Sequence, residues 1–371
     1  YPEEIIIPAA SRMLRRPIKW IEDRREHFIS AIQERDQYWD LEVAFDDDGR
    51  LLGVRGELIH DQGAYTPQGT NLAYNASTAY PGPYILPAYD LHVRVVETNK
   101  VAAVPVRGAG YPEGCFAMER TLDHVARARG LDRVLVRRRN LVPAEQMPYQ
   151  TPLRSRSGSS IAYDSGDFQA SMQAALAAID YDDFAERQRR ARERGRHLGI
   201  GIANGMKGTG RGPYESALVR IGRSGKVSLY TGAMPMGQGL KTALAQICAE
   251  QLGVDPADIS VTTGDTSTIP LGMGGFASRQ TVTAGSSTHL AATAVRQKAL
   301  AVAAYLLEAA VEDLELKDGR IELRGVPGHG VTLREVAGAL AGNPGYSIPG
   351  KFDPGLESYQ NFLPGALTYG I

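Results

Sequence analysis

VPVRGAGYPEG (104–114) joins an apolar, strand-like segment to a glycine-rich turn and then to a helix start at Pro112. Proline suits the first turn of a helix, where its missing N–H would have no partner, so a helix is expected from about Pro112 to Arg129. Two further stretches repeat the theme of glycines after a strand-like segment: Met236-Gly237-Gln238-Gly239, and Gly274-Gly275-Phe276-Ala277-Ser278-Arg279-Gln280-Thr281. Glycines let backbone N–H groups approach an anion, and a helix N-terminus adds partial positive charge. Gln238 brings donors and an acceptor, while Ser278 and Thr281 bring hydroxyls. Each loop alone reads as a plain turn; together they suit a large, polar, phosphate-bearing cofactor. None is a P-loop, and the 108–114 spacing with Pro112 is not a Rossmann fingerprint.

Around these loops, residues 2–16 fit a helix, kinked or delayed by Pro8 and stopped by Pro17. Strands are expected over 18–24 and over 38–63, the latter folded at Asp46-Asp47-Asp48-Gly49. A Tyr-, Pro- and Asn-rich stretch (64–89) precedes a strand at 91–99. Helices are expected at 132–139, from the Asp167 cap to about Ile179, and at 182–196. Prolines 143, 148 and 152 with SRSGSS (155–160) mark a loop and a domain boundary, giving expected domains 1–150 and 151–371. Short strands (198–204, 216–222, 226–231, 259–265) follow, with an amphipathic helix at 240–252 whose apolar face is Leu240, Leu244, Ile247, Cys248 and Leu252. A long Ala-rich helix (283–312), a hairpin at Asp318-Gly319 and a short helix (333–341) complete the pattern. Strands and helices in mixed order predict an α+β fold with mixed sheets and packed helices.

Composition narrows the function. The chain has 371 residues with 41 Lys plus Arg against 42 Asp plus Glu, a net charge of -1. That balance argues against bulk electrostatic binding of nucleic acid or of an anionic membrane surface. Cys115 and Cys248 are too few for a disulfide framework, a cysteine-only zinc site or an iron–sulfur cluster, and a reduced, cytoplasmic compartment is the expectation. The longest apolar stretch, residues 299–311, is short for a bilayer span. The histidines show no metal-ligand spacing, so no metal is expected to be held directly by side chains. No G-x-S-x-G nucleophile elbow is present. ERQRRARERGR (186–196) interleaves glutamates and reads as a solvated helix face, and Asn75-Ala76-Ser77 has no meaning as a glycosylation sequon in the cytoplasm.

RPIKWIEDRREHF (16–28), VRGAGYPEG (106–114), NLVPAEQMPYQT with YDSGDF (140–168), MGQG, GDTSTIP and ASRQT occur in an order that resembles the molybdenum-cofactor-binding large subunit of the xanthine oxidase, aldehyde oxidoreductase and carbon monoxide dehydrogenase family. The resemblance implies molybdopterin-binding domains and oxidative hydroxylation of an aldehyde or N-heteroaromatic carbon. It implies a molybdenum–molybdopterin cofactor in the cytosine dinucleotide form, with 2Fe-2S clusters on a small partner subunit, FAD on a medium one, and a dimer of heterotrimers.

Residue by residue, the resemblance puts the Arg107 backbone amide and Gly108 at the metal centre, and Gln238, between Gly237 and Gly239, on the pterin or a metal ligand. It puts the Ala277 amide near the metal and Ser278, Arg279 and Thr281 on pterin or phosphate. Ala109 and Tyr111 would line the substrate pocket, and Asn75 falls near the place of a purine-orienting arginine. Gly108 stands where the carbon monoxide enzymes carry a cysteine, which disfavours that alternative. A non-catalytic paralogue is the other alternative. The family's catalytic glutamate is expected beyond residue 371 and its first cofactor loop before Tyr1, as in a fragment cut at both ends, so no catalytic residue is carried over.

Overall fold

In the computed structural model, residues 2–65, 68–155, 158–210, 212–342, 352–364 and 368–370 are described. The chain divides into two units, the first running to Lys207 and the second spanning Gly208–Thr368.

The first unit opens with α1 (Glu3–Leu14), which runs uninterrupted through Pro8 and buries none of its residues. The stretch expected as a strand at 18–24 is a loop leading into α2 (Arg24–Ser30). Asp23 and Glu26 form a reciprocal capping box there, so the local capping signal outweighs the β-like composition. Strands β1 (Gln37–Phe45) and β2 (Leu51–Asp61) pair antiparallel from Gln37↔His60 to Phe45↔Leu51 around the expected turn.

After β2 the Tyr/Asn-rich stretch forms a helix that the sequence reading did not assign, α3 (Gly69–Ala79). The chain then returns in β3 (Tyr89–Val96), parallel to β2. A parallel return needs a crossover, and α3 supplies it. The rings of Trp39, Tyr80 and Tyr89 stack at 5.6 and 5.3 Å, and the Tyr89 hydroxyl donates to the Ser77 carbonyl at 2.9 Å.

Helices α4 (Tyr111–Arg129) and α5 (Arg133–Asn140) follow as expected. A hairpin of β4 (Tyr149–Arg154) and β5 (Ser160–Tyr163) replaces the expected loop, with Arg156 and Ser157 outside the described residues. Next come α6 (Phe168–Ala178) and α7 (Phe184–Glu193). Tyr163, Phe168, Met172 and Leu176 join one core with Leu51, Tyr84, Met118 and Leu122. The division by packing falls near 207.

The segment expected as a strand at 198–204 is instead tied down by side chains. Arg137, fully buried, donates to Glu119 Oε2 (2.7 Å), Asp123 Oδ1 (3.0 Å) and the Ile202 carbonyl (3.1 Å). Glu119 Oε1 accepts from the Tyr84 hydroxyl (2.6 Å) and the Asn204 amide (3.0 Å). Every member of this buried network has a partner, which is the condition for such a network to hold rather than weaken a core.

The chain enters the second unit through β6 (Lys207–Thr209). Its sheet has the order β13-β7-β8-β9, where β7 (Glu215–Ile221), β8 (Val227–Thr231), β9 (Ile259–Thr263) and β13 (Leu356–Phe362) pair antiparallel except for the parallel β8/β9 pair. The crossover between β8 and β9 is α8 (Leu240–Leu252), whose Leu240, Leu244, Cys248 and Leu252 face the core and whose Ile247 is partly buried against it. A π-helical turn at Thr281–Gly285 precedes α9 (Ser286–Leu307), which packs on β7, β13 and α8. Over 281–307 the chain is long and apolar enough to cross a membrane by composition, yet Ala291, Ala292, Val295, Ala299 and Val302 are fully buried in this core. Glu308 in the left-handed region (φ 51°) ends α9 short of the expected residue 312. Strands β10 (Leu314–Lys317), β11 (Arg320–Leu323) and β12 (Gly330–Thr332) form a small sheet, and α10 (Leu333–Leu340) closes on the core. The fold is mixed α+β, as expected.

Candidate cofactor-binding site

The second unit gathers two of the three glycine-rich loops at one place. Loop 232–239 leaves the carboxyl end of β8 and enters α8, while loop 264–280 leaves the carboxyl end of the parallel neighbour β9. Loops at the carboxyl ends of parallel strands are where open α/β sheets place ligands, because helix N-termini and free backbone N–H groups converge there. The loops touch through backbone: a β-carbon on Gly232 would stand 2.0 Å from the Leu271 carbonyl oxygen, and one on Gly272 would stand 2.2 Å from that of Gly232.

In the first of these loops Gln238 is exposed between Gly237 (φ 80°) and Gly239 (φ 77°), the N-cap of α8. A β-carbon on either glycine would meet nothing within 4 Å, so the loop presents an open backbone face. The second loop carries Ala277 (φ 51°) and Ser278 (φ 52°), consecutive non-glycine residues in the left-handed region. Such residues cost about 1–3 kcal/mol each and persist only where the surroundings hold them. What holds them here is Arg279. Its guanidinium is fully buried, 2.9 Å from Glu215 Oε1, also fully buried, and 2.5 Å from the Pro213 carbonyl oxygen. The same Glu215 oxygen accepts from the Met273 amide at 3.0 Å, and the Phe276 ring lies 5.5 Å from the guanidinium carbon. Arg279, read from the sequence as a phosphate or pterin contact, thus spends its donors beneath the loop. Gln280 donates to the Met234 carbonyl at 2.5 Å, linking this loop to the Gln238 loop. Thr281 is exposed at the start of the π-helical turn, a feature concentrated at functional sites.

The third loop belongs to the first unit. Arg107 to Gly110 form a turn entering α4, with Gly108 at φ 118° and Ala109 at φ 52°. Asn75 donates to the Ala109 carbonyl at 2.8 Å, so a residue read only as standing where an arginine could be is a support of the loop. Gly110 and Gly114 lie one turn apart against α3, where a β-carbon on either would come within 2.4 Å of the Leu72 or Ala76 carbonyl oxygen. Arg107 is exposed, and Ala109 and Tyr111 are half-buried. From below, Glu34 Oε2 accepts from the Val106 amide (2.6 Å) and Arg35 donates to the Arg107 carbonyl (2.6 Å). Burial raises the Glu34 carboxyl above its ordinary value, with the Val106 amide opposing the rise. Neither Glu34 nor Arg35 was singled out from sequence; they lie 72 residues from the loop they hold. Among the described residues no group of three His, Cys, Asp or Glu could hold a metal ion. The two loops of the second unit fit an anionic, heteroatom-rich group bound through backbone amides: their backbone is open at Gly237, Gly239 and Gly274, and the left-handed Ala277 and Ser278 are held from beneath.

Comparison with known proteins agrees with this construction. Residues 1–141 and 174–370 each match a molybdopterin cofactor-binding domain family. The chain is 37% identical to the 6-hydroxypseudooxynicotine dehydrogenase complex subunit gamma of Paenarthrobacter nicotinovorans, covering 100% of this chain and 46% of that protein. It is 32% identical to the carbon monoxide dehydrogenase large chain of Hydrogenophaga pseudoflava, covering 100% and 47%. Among solved structures, quinoline 2-oxidoreductase from Pseudomonas putida 86 superposes with a TM-score of 0.86 at 35% identity, covering 100% of this chain and 48% of that one. The chain spans about half the length of the relatives it matches.

Proposed function

Since the chain belongs to the molybdenum-cofactor-binding large-subunit family of the xanthine oxidase type, we propose that it forms the cofactor-holding half of a molybdenum hydroxylase acting on an electron-poor carbon of an N-heteroaromatic compound or an aldehyde. The observation that carries this reading is the pairing of two glycine-rich loops at the carboxyl ends of the parallel β8/β9 pair, with left-handed Ala277 and Ser278 held by a buried ion pair. Relatives named for nicotine and for quinoline favour the N-heteroaromatic class. When bound, the cofactor supplies two-electron oxidation with water as the oxygen source.

The chain's own task is to bind and orient. The N-terminus of α8 and the Gly237–Gly239 backbone favour phosphate oxygens. Gln238 offers its amide to the pterin or to an oxygen on the metal. The Ala277 amide would contact the molybdenum end of the cofactor, Ser278 and Thr281 would add hydroxyl contacts, and Arg279 would hold their loop from beneath. In the first unit the Arg107 and Gly108 backbone would contribute contacts to the molybdenum end of the cofactor, and Ala109 and Tyr111 would line the substrate pocket. The dinucleotide is the cytosine form. The 2Fe-2S clusters sit on a small partner subunit and FAD on a medium one, in a cytoplasmic dimer of heterotrimers. The relatives' names as large chain and complex subunit support the multi-subunit part of this reading.

Oxidation of carbon monoxide is disfavoured because Gly108 stands where the carbon monoxide enzymes carry a cysteine. A β-carbon on Gly108 would lie 2.4 Å from Pro112 Cγ, on a rigid ring, and the backbone there has φ 118°. A cysteine at 108 therefore does not fit this loop.

The test is the molybdenum content of the full-length protein purified with its native partners. About one molybdenum per large subunit is expected for this architecture. A folded complex with filled iron–sulfur and flavin sites but no molybdenum would refute the reading in favour of a non-catalytic paralogue.

A further inference from the structure

Three charged side chains of the first unit, Glu34, Arg35 and Glu113, gather at the loop that enters α4. Segment 33–35 runs beside 102–104: Gln33 forms a parallel bridge with Ala103, its amide donates to the Ala102 carbonyl (3.2 Å), and its carbonyl accepts from the Val104 amide (3.0 Å). At the end of this short pairing the backbone turns sharply, with Arg35 at φ 84°. The turn sends two neighbouring side chains to opposite polarities of one loop. Glu34 takes the Val106 N–H at 2.6 Å, and Arg35 gives Nη2 to the Arg107 carbonyl at 2.6 Å.

Arg35 also stands with Nη1 3.5 Å from Glu113 Oε2, in the first turn of α4. Glu113 is only 9% exposed, and neither of its oxygens has a hydrogen-bond partner; Glu34 Oε1 is buried in the same condition. The guanidinium that faces Glu113 is thus also committed to a main-chain carbonyl. Leaving buried acceptors unpaired is costly, so the arrangement is retained against a stability penalty. Stored cost of this kind is typical of groups that position a functional segment.

We propose that Glu34, Arg35 and Glu113 form a clamp that fixes the direction of the peptide groups from Val106 to Ala109, with Arg35 as the positioning residue that couples the loop to α4. Glu34 pins the entry of the loop through an amide, and Arg35 pins its middle through a carbonyl. Asn75 pins its end through the Ala109 carbonyl at 2.8 Å. A carbonyl held from below sets the plane of the peptide bond that follows it, so Arg35 controls where the Gly108 amide points. The inference rests on the cofactor reading only for what this amide meets, and not for the clamp itself.

The experiment uses the full-length protein with its partner subunits and compares Arg35→Met and Arg35→Lys with the parent. Amide hydrogen exchange over residues 104–111 reads the clamp without any cofactor chemistry. Arg35→Met should speed exchange there by about tenfold, equivalent to about 1.4 kcal/mol, while the helix from Leu122 onward stays unchanged. Molybdenum content should hold near the parent value while the paramagnetic Mo(V) signal shifts its g values. Arg35→Lys keeps a charge opposite Glu113 but loses the planar fork, and should shift the signal by less. Parental exchange and a parental signal in Arg35→Met would overturn the proposal. If Arg35→Met does not fold, the same two readouts on Arg35→Lys decide, and parental values for both overturn it. A parent protein that contains no molybdenum refutes the cofactor reading, and the exchange measurement then decides the clamp alone.

Discussion

Replacing Arg279 with Met tests how the second unit holds its strained loop. Both Arg279 and Glu215 are fully buried. The substitution removes the donors to Glu215 Oε1 (2.9 Å) and to the Pro213 carbonyl (2.5 Å). It leaves Glu215 in the core with the Met273 amide at 3.0 Å on one oxygen and no hydrogen bond on the other. Breaking a buried pair by removing one partner costs about 3–5 kcal/mol, because an uncompensated charge stays behind. For a unit of this size each kcal/mol lowers the unfolding midpoint by about 2–4 °C, giving roughly 6–20 °C in all. The double variant Arg279→Met with Glu215→Leu removes the stranded charge as well. It still orphans the Met273 amide, worth about 1–3 kcal/mol, so the double should recover part of the loss but not all of it. Thermal unfolding of the full-length protein and of the three variants, Glu215→Leu alone included, completes the double-mutant cycle, with hydrogen exchange in β7 and α9 to assign the transition to the second unit. A double variant less stable than Arg279→Met, or a single variant that unfolds with the parent, would refute the argument that this ion pair secures the loop.

Gly108→Ala should destabilise the loop before α4 by about 2–5 kcal/mol, combining the positive φ with overpacking against Pro112; adding Pro112→Ala should restore the packing part, and equal thermal midpoints for parent and Gly108→Ala would be the contrary result. Gln238→Leu, at an exposed position, should leave the midpoint within about 0.5 kcal/mol while lowering molybdenum occupancy or turnover, as measured by elemental analysis and steady-state rates. His60 is fully buried with neither ring nitrogen hydrogen-bonded, and burial lowers its pKa from 6.5. The unfolded chain therefore gains a proton on acidification before the folded chain does, so stability contributed at neutral pH is lost as the pH falls below 6.5. His60→Met should flatten that acid limb in denaturant midpoints taken between neutral and acidic pH, and an unchanged slope would contradict it.

Much of the frame was legible because local signals and tertiary packing agreed. The hairpin around Asp46–Gly49, the helix entered at Pro112, the Asp167 cap and the apolar face of α8 all follow from rules that act within a few residues. The reading failed where the two disagreed. Helix α3 is built from Gly69, Thr70, Asn71, Asn75, Ser77 and Thr78, poor helix formers that prefer turns in isolation. It forms because the parallel pairing of β2 with β3 requires a crossover, and because its Leu72, Ala73 and Ala76 are buried. The 198–204 segment has a strand's composition, but Arg137, Glu119 and Tyr84 claim the residues around Ile202 and Asn204 first. The capping box at Asp23 and Glu26 starts a helix directly after the apolar residues whose composition alone suggests a strand.

The same reasoning separates the two kinds of residue in the site. The glycines and Gln238 were readable because a loop that binds through backbone amides must be written in residues that permit such a backbone. The residues that aim those amides obey no local rule. Glu34, Arg35 and Asn75 for the loop before α4, and Glu215 for the loop that carries Ala277 and Ser278, reach their targets across 72, 72, 34 and 64 residues. Glu215 is a charge buried in the core and Arg35 takes a positive φ, conditions that only the assembled fold can hold. A site bound by backbone amides is only as exact as the direction of its peptide planes, and those planes are set by these distant acids, arginine and amide. Substitutions there should alter the geometry of what is bound more than the amount bound, whereas substitutions at Gln238 should do the reverse.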